Sequence, residues 1–418
     1  MKEEIKLQLI STLIVLPKKI YLELLALMLY KLTSNAQTNS NIKPNTKVTC
    51  IISFQFLALK EILNQNQAIK GKESKLKMTD RIPEVPPIIL PVLFVNGEIR
   101  PLWSVMIPVY NCIVFLEETL RSVLMQDPGE ALMQIEVVDD LSTDGDVGAL
   151  VETVGKGRIK YFRQDRNRGS LRNFETCLNR AKGQWVHLLH GDDRVEAGYY
   201  QEIESLFSTH PEAGAAFTNF FYINKQSNKL SDMDPPILSD KTRILSDFLF
   251  KIASRQLIQP PAIVVKRSVY EHLGSYFAVH YGEDWEMWTR IAAHYPFAYS
   301  PKCLASYRVS GDVNITQQAY LTGQNARDLN KVINIIQNYL PPENRKKLKK
   351  KALKFNSILC AVTANTLYPT QKAAAFMQAK EAWKINKNIT TLYYIAKFYL
   401  KIFINYEKLK SCFNIKTT

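Results

Sequence analysis

Along the middle of the chain, short apolar runs alternate with longer segments in which apolar residues recur every three or four positions. This pattern predicts strands followed by helices. The four apolar runs that read as buried strands are Ser104–Val109, Gln134–Val138, Arg158–Phe162 and Gln184–Leu189. After the first run, an apolar residue recurs every three or four positions at Leu116, Leu120 and Val123, as on one face of a helix. This repetition predicts an α/β fold whose mostly parallel sheet is flanked by helices. Ligands of such sheets bind beyond the carboxyl ends of the strands.

The pattern is less regular after Leu206. Further extended segments are predicted at Ala213–Ile223, Ala262–Val265 and Phe297–Tyr307, and a helix from Gly282 to about His294. Beyond Leu321 the chain is predicted to be helical, with breaks at its prolines. The predicted organisation is a poorly structured extension at 1–77, a Pro-rich lead at 78–102, a catalytic domain at 103–315 and a basic helical region at 316–418.

Charge separates the two ends of the chain from its middle. The net charge is +15, and residues 341–418 hold 16 Lys and Arg against 3 Glu, whereas residues 1–77 hold 12 against 5. Basic ends of this kind favour anionic surfaces. The apolar runs within 1–77 are too short to span a bilayer, and Met78 resembles an ordinary start of translation. The six cysteines form no metal-binding spacing and are predicted to be free thiols in a reducing compartment.

Two motifs follow the first two predicted strands. SVMIPVYN places Pro108 and Tyr110 at the end of the first strand, where an aromatic ring can stack on a base; a simple turn explains it as well. VVDDLSTD places Asp139 and Asp140 at the end of the second strand, where a carboxylate can accept hydrogen bonds from a base or a ribose. Capping of a turn or helix is the alternative for this pair, and it is favoured for Asp144.

Two more motifs carry charge at later strand ends. In RNRGSLRNF, Arg168 or Arg172 is placed to face a diphosphate, although solvent exposure is an equal alternative. HGDD places Asp192 and Asp193 after an apolar strand, where paired acids favour Mg²⁺ or Mn²⁺ over helix capping. His190 is interpreted as a packing or hydrogen-bonding residue rather than a ligand.

The last motif, GEDWEMW, opens a helix. Its Asp284 shares a helix face with Trp288, so an apolar setting can shift the carboxyl towards the role of a general base. Complementing the helix dipole is the alternative role of Glu283 and Asp284.

Four of these motifs, in the order SVMIPVYN, VVDDLSTD, HGDD and GEDWEMW, resemble those of the inverting glycosyltransferases of family 2, which have the GT-A fold of nucleotide-diphospho-sugar transferases. The resemblance covers about Trp103 to Arg308. It implies that residues at the first two strand ends bind the nucleotide, namely Pro108, Tyr110, Asp139 and Asp140. It also implies that Glu283 contributes to substrate binding. His190 stands where the family motif has its first acid, so Asp192 and Asp193 are the implied metal ligands.

The resemblance also implies a mechanism. Asp284 would remove a proton from an acceptor hydroxyl, whose oxygen then displaces the nucleoside diphosphate with inversion of configuration. The expected donor is a UDP-sugar, the commonest donor in the family. The expected cofactor is Mg²⁺ or Mn²⁺. The expected acceptor is a hydroxyl of a saccharide, of a lipid-linked molecule or of another compound. A non-catalytic sugar-nucleotide-binding or membrane-surface module is the alternative, and a nucleotidyltransferase is disfavoured because SVMIPVYN lacks a Gly-rich basic loop. The basic tail has no nucleic-acid recognition motif, so no nucleic-acid partner is expected.

The tail from Thr391 to Lys410 has an amphipathic pattern. Its predicted apolar face comprises Leu392, Ile395, Ala396, Tyr399, Ile402, Phe403 and Tyr406. Lys397, Lys401 and Lys408 are predicted on the opposite side. Packing of the apolar face on the catalytic domain is favoured over insertion into a membrane interface. The expected location is cytoplasmic, with peripheral attachment to the inner face of the membrane as the second option.

Overall fold

A computed structural model describes residues 81–92, 100–230, 235–309 and 315–403, which all belong to the unit from Met78 to Thr418. The extension predicted at 1–77 and the tail positions Tyr406 and Lys408 lie outside the described residues.

Strands and helices alternate through the first half of this unit, as predicted. The strands are β1 (Trp103–Val109), β2 (Met133–Asp139), β3 (Lys160–Arg163), β4 (Trp185–Leu188), β5 (Arg194–Val195), β6 (Ala215–Ile223), β7 (Arg243–Ile244), β8 (Ile263–Lys266) and β9 (Phe297–Arg308). The first seven helices are α1 (Ile113–Leu124), α2 (Val147–Gly155), α3 (Ser170–Arg180), α4 (Tyr199–Thr209), α5 (Phe248–Ile252), α6 (Arg267–Leu273) and α7 (Glu283–Ala292). The last five are α8 (Ile315–Thr322), α9 (Gln324–Ile336), α10 (Pro342–Leu367), α11 (Lys372–Ile385) and α12 (Ile389–Phe403).

The strands form one sheet in the order β3-β2-β1-β4-β8-β6-β9-β5, and β7 pairs with β9. Strands β1 to β4 are parallel, as the repetition of strand and helix predicts. Beyond β4 the sheet is mixed, because β8 runs antiparallel to both β4 and β6, whereas β6 and β9 are parallel. The carboxyl ends of β1, β2 and β4 therefore lie side by side, which brings their following loops to one edge.

Alternation along β1 buries residues on both faces of the sheet. Val105 and Ile107 lie in one apolar cluster with α1 and α4, and Met106 lies in the other with α3 and α7. All three side chains are fully buried. Two covered faces explain why these strands are almost continuously apolar rather than alternating.

The Pro-rich lead packs against the segment that precedes α7. The carbonyl of Pro87 accepts a hydrogen bond from the Ser275 N–H at 2.8 Å, and that of Pro83 accepts one from the Ala278 N–H at 2.8 Å. Gly274 has a φ of +79°, and a Cβ there would meet the Pro87 oxygen at 2.7 Å. The lead is thus an integral part of this unit.

The helices after β9 begin by covering the start of α7. Gly282 precedes this helix with a φ of +87°, and a Cβ there would meet Leu329 of α9 at 3.2 Å. The carboxylate of Asp328, also in α9, accepts hydrogen bonds from the N–H groups of His280 and Tyr281 at 3.2 and 3.1 Å. Helix α9 therefore fixes the turn that leads into α7.

Helix α12 packs by a face that only partly overlaps the one predicted. Phe398 is fully buried against Tyr368 and Phe376, and Thr391 is buried beside Ser357. Of the predicted inward residues, Ile395 and Ile402 are partly buried against neighbouring helices, whereas Leu392, Ala396 and Tyr399 are exposed. The prediction was only partly right because α12 is apolar on two sides, so periodicity alone does not identify the side that packs. Across the described ranges, the structure contains no helix with the length and apolar character needed to cross a bilayer.

Candidate active site

The loops after β1 and β2 are held together by hydrogen bonds between side chains and backbone. The Asn111 carboxamide oxygen accepts a hydrogen bond from the Thr143 N–H at 2.8 Å, and the Ser142 hydroxyl accepts one from the Asn111 N–H at 3.0 Å. Asp144 accepts one from the Ile113 N–H at 2.9 Å and so caps α1. Capping was the favoured interpretation of Asp144; the helix that follows it, α2, is capped by Asp146 instead, and Asp144 binds the start of α1. Tyr110 remains 49% exposed between these contacts, so its ring is accessible.

Asp139 lies at the end of β2 and is fully buried. Its Oδ1 accepts a hydrogen bond from the Ser142 N–H at 2.8 Å, and its Oδ2 accepts one from the Tyr161 hydroxyl at 2.8 Å. Burial, with the adjacent Asp139 carboxylate, raises the pKa of Tyr161 to about 12. Each carboxylate oxygen has a second lone pair, so Asp139 retains capacity for another donor.

Asp140 turns towards the start of α3. Its two oxygens accept hydrogen bonds from the N–H groups of Arg168 and Gly169 at 2.6 and 2.8 Å. Burial raises the pKa of Asp140 although these hydrogen bonds oppose the effect. The structure thus shows the capping role for Asp140, and any contact with a ligand would be additional to it.

The arginines of RNRGSLRNF make ion pairs near the start of α3. Arg172 donates to Glu175 at 2.8 Å, and Arg168 donates to Asp165 at 3.1 Å. The Nε of Arg168 is buried without a hydrogen-bond partner. To contact a diphosphate, the Arg172 side chain would have to break its ion pair with Glu175 or bind both groups at once.

The HGDD turn follows β4 and lies against the end of β1. The Gly191 N–H donates to the Pro108 oxygen at 3.2 Å, and a Cβ at Gly191 would meet Val109 at 2.9 Å. The Thr119 hydroxyl, from α1, donates to the Asp193 carbonyl at 2.6 Å. Close backbone approach therefore explains why glycine occupies the second position of the motif.

His190, Asp192 and Asp193 converge in this turn. Each offers one ligand atom, and the three atoms lie within 4.8 Å of one another. Asp193 is 1% exposed, and its Oδ1 accepts a hydrogen bond from the Arg308 N–H at 2.9 Å. Its Oδ2 and the Nε2 of His190 are buried without hydrogen-bond partners. Burial and the neighbouring Asp192 carboxylate raise the pKa of Asp193 well above its usual value.

Asp284 lies in the first turn of α7, as predicted. Burial raises its pKa to about 7, which is the effect expected of a carboxyl in an apolar setting. Burial and the adjacent Asp284 carboxylate also raise the pKa of Glu283. Trp288, one turn further along, is buried and packs edge-on against Tyr276 at 6.1 Å between ring centroids.

The acidic residues of the separate motifs are close enough to affect each other. The carboxylates of Asp192 and Asp284 both raise the pKa of Asp193, after the larger effect of its burial. Burial likewise dominates at Cys112, whose pKa is raised further by Asp192 and Asp139. The carboxylates at the ends of β2 and β4 and at the start of α7 therefore belong to one acidic region, which includes Asp193.

Sequence reasoning missed the residues that hold this region in place. Arg308 was named only as the end of the family resemblance, and Asp328 was not singled out. Neither residue lies in a recognisable motif, and both act on partners more than 40 positions away in the chain. The sequence feature that could have indicated this role of Arg308 is its position at the end of a predicted strand, because an arginine there can hydrogen-bond to neighbouring loops.

The chain is similar in sequence to several known proteins. Residues 104–273 match the family model described as glycosyl transferase family 2. The chain is 26% identical over 248 residues to the uncharacterized protein MT1568 of Mycobacterium tuberculosis, covering 56% of this chain and 75% of that protein. It is 28% identical over 220 residues to the GalNAc(5)-diNAcBac-PP-undecaprenol beta-1,3-glucosyltransferase of Campylobacter jejuni, covering 52% and 67%.

Among solved structures, the mannosyltransferase PcManGT from Pyrobaculum calidifontis, in complex with GDP-Man and Mn²⁺, is similar to this chain with a TM-score of 0.47 and 16% identity. The match covers 87% of this chain and 93% of that one. With the family match over residues 104–273 and the four motifs in place, the chain contains a glycosyl transferase family 2 domain and is a glycosyltransferase with the GT-A fold. The family resemblance read from the sequence is thereby confirmed.

Proposed function

We propose that this glycosyltransferase transfers a sugar from a nucleoside-diphospho-sugar to an acceptor hydroxyl with inversion at the anomeric carbon. The observation that carries the proposal is the Asp284 carboxyl, whose pKa is raised to about 7 and whose charge acts on Asp193. A base with a pKa near the working pH is half deprotonated there and still accepts a proton effectively. Asp284 is thus suited to take a proton from a hydroxyl next to the acidic region.

The reaction would be a single displacement. Asp284 takes the hydroxyl proton while the acceptor oxygen forms a bond to the anomeric carbon, and the bond from that carbon to the diphosphate oxygen breaks with its electron pair. Attack from the side opposite to the leaving group inverts the configuration. The proton ends on Asp284 and the new charge on the nucleoside diphosphate.

Asp192 and Asp193 would hold a divalent cation. The buried, unpaired Oδ2 of Asp193 fits such an ion, because a buried acceptor without a partner is otherwise unfavourable. Oxygen ligands suit Mg²⁺ and Mn²⁺. The ion would supply positive charge beside the departing diphosphate.

The nucleotide would lie over the ends of β1 and β2. Tyr110 offers an accessible ring for stacking on the base, and Asp139 has lone pairs left for a base N–H or ribose hydroxyl. Pro108 lies in β1, where its carbonyl binds the Gly191 N–H, Asp140 holds the start of α3, and Arg172 contributes positive charge. We propose a UDP-sugar as donor, with Glu283 on the acceptor side next to Asp284.

The exposed face of α12 supports action at a membrane surface. Ile389, Tyr393 and Leu400 project from one side of this helix and are 80%, 60% and 57% exposed. Lys397 lies beside this face in a region rich in Lys and Arg. An apolar, aromatic helix face flanked by basic residues is typical of helices that lie in anionic membrane interfaces. The Campylobacter relative is named for an undecaprenol-linked acceptor, and we propose a lipid-linked acceptor of cell-envelope synthesis for this enzyme, at the cytoplasmic side of the membrane.

A thermal-shift screen of UDP-, dTDP- and GDP-sugars, with and without Mn²⁺, tests the donor and the metal together. We expect a UDP-sugar with Mn²⁺ to raise the melting temperature more than either component alone. Asp284→Asn should lower turnover roughly 10²- to 10⁴-fold, the usual contribution of a general base, while retaining the thermal shift. Substitution of the exposed Asp240 by Asn is the matched control. If Asp284→Asn turned over like the control, Asp284 would not be the base.

A further inference from the structure

The metal-binding turn contains a nitrogen donor where the family motif has a carboxylate. His190 belongs to the three residues whose ligand atoms lie within 4.8 Å of one another, with Asp192 and Asp193. Its Nε2 is buried and has no hydrogen-bond partner. Leaving a buried polar group unpaired costs on the order of 1–3 kcal/mol. Two such atoms in one turn, the other being Oδ2 of Asp193, indicate that a ligand satisfies both.

His190 is held in a fixed orientation. Its ring stacks on Phe174 with a centroid distance of 5.1 Å and an interplanar angle of 15°. Its carbonyl accepts a hydrogen bond from the Asp193 N–H at 3.1 Å, which closes the turn. Gly191 is fixed against Pro108 and Val109 by the close contacts already described. A rigid imidazole loses little entropy when it binds a metal ion.

We propose that Nε2 of His190 is a direct ligand of the bound cation, so that the site prefers Mn²⁺ or Co²⁺ over Mg²⁺. The proposal rests on the metal-assisted transfer proposed above and specifies its metal. Imidazole nitrogen suits transition metals, whereas Mg²⁺ is bound almost entirely by oxygen. One nitrogen and two carboxylates form a mixed donor set, and an affinity order of Mg²⁺ below Mn²⁺ below Co²⁺ follows from it.

Direct metal binding tests this assignment without any turnover. Mn²⁺ affinity is measured by electron paramagnetic resonance of the free ion, with the ion alone and with UDP, and Mg²⁺ is added as competitor. We expect His190→Gln to weaken Mn²⁺ binding at least about 10-fold, as loss of a ligand or its support does. His190→Asp should retain Mn²⁺ binding and lower the preference for Mn²⁺ over Mg²⁺ at least about 10-fold, since it restores an all-oxygen set.

His210→Gln is the matched control, because His210 lies at the end of α4 and contacts Glu212 instead of the acidic region. A spectrum of ¹⁵N-labelled histidines adds an independent readout, since Zn²⁺, a diamagnetic ion, should shift the Nε2 resonance of His190 and leave that of His210 unchanged. Circular dichroism melting confirms that each variant is folded.

The proposal is overturned if His190→Gln binds Mn²⁺ with wild-type affinity and wild-type preference over Mg²⁺, or if the wild-type protein binds neither ion with UDP present. If His190→Gln instead weakens UDP binding in the absence of metal, His190 contacts the nucleotide and is not a metal ligand. If the enzyme transfers sugar normally but fails these binding tests, only the assignment of His190 as a metal ligand is refuted. The proposed function would fail separately, through loss of sugar transfer.

Discussion

Asp193 and Arg308, 115 positions apart in the chain, are joined by a hydrogen bond of 2.9 Å from the Arg308 N–H to the Asp193 Oδ1. The Arg308 guanidinium adds a bond of 2.7 Å to the carbonyl of Asp192 and one of 2.6 Å to Glu118. The last residue of β9 thus fixes the turn that carries the acids. Its side chain is 1% exposed, so these bonds are shielded from solvent.

Removing this side chain should therefore affect both stability and metal binding. We expect Arg308→Ala to lower the free energy of unfolding by roughly 3 kcal/mol, because it leaves buried groups unpaired. Mn²⁺ affinity should fall as well, since the Asp192 backbone loses its donor. Urea unfolding and Mn²⁺ titration measure the two effects.

Arg194→Ala is the control for that experiment. Arg194 also pairs with Glu118, and its second ion pair is with Glu196 rather than with the acids of the HGDD turn. Equal Mn²⁺ affinities in the two variants would show that Arg308 does not organise the metal-binding turn.

The pH dependence of the reaction should reflect Asp284. Only the deprotonated carboxylate accepts a proton, so kcat/KM should rise with pH through a midpoint of about 7, where burial places this pKa. Because Asp193 and Glu283 titrate in the same acidic region, the midpoint belongs to the group of carboxylates. A profile measured in wild type and in Asp284→Glu provides the check, and a rate that is flat from pH 5.5 to 8.5 argues against this assignment.

The same shift predicts an effect on stability with a defined sign. The pKa of Asp284 is raised from 3.8 in the unfolded chain to about 7 in the folded protein, so the folded state is penalised as pH rises through that range. Asp284→Asn removes the penalty and should stabilise the protein at pH 8.5 by about 1–3 kcal/mol. Below pH 4 the two proteins should be nearly equally stable. Chemical unfolding at both pH values measures this, and a variant that is less stable at pH 8.5 would contradict the burial argument.

Membrane binding should depend on the exposed face of α12. Replacing Tyr393 and Leu400 together by Glu should reduce co-sedimentation with anionic liposomes at least about 10-fold, since two apolar groups are lost and two negative charges gained. Ile237→Glu, at a position that is 73% exposed elsewhere, is the control. Similar binding by the control and the double variant would mean that α12 does not contact the lipid.

Strand and motif positions could be predicted from the sequence because they depend on local patterns. Strands β1, β2 and β4 are apolar because they are buried on both faces of the sheet. The motifs that follow them are recognised from short local runs of Asp and Gly. Asp284 is likewise found from its position in the first turn of a helix.

Other features depend on contacts between distant segments and were not predictable. Strand β8 lies between β4 and β6 in the sheet. The sequences of such short apolar strands do not specify which strands they pair with. The packing side of α12 was predicted only in part, since Ile395 packs as expected but the fully buried Phe398 was not placed on the inward face. The role proposed for His190 also needed coordinates, because an unpaired Nε2 is a property of its surroundings.

The carboxylate of Asp328 and the contact of Leu329 with Gly282 have a consequence for how such enzymes diversify. Both residues belong to α9, which lies beyond residues 104–273 that match the family. A change in α9 alone would therefore reorient Asp284, the proposed base, without altering the residues proposed to bind the nucleotide. Under the proposed function, substitutions in α9 offer a route to altered acceptor use that changes none of the four motifs upstream.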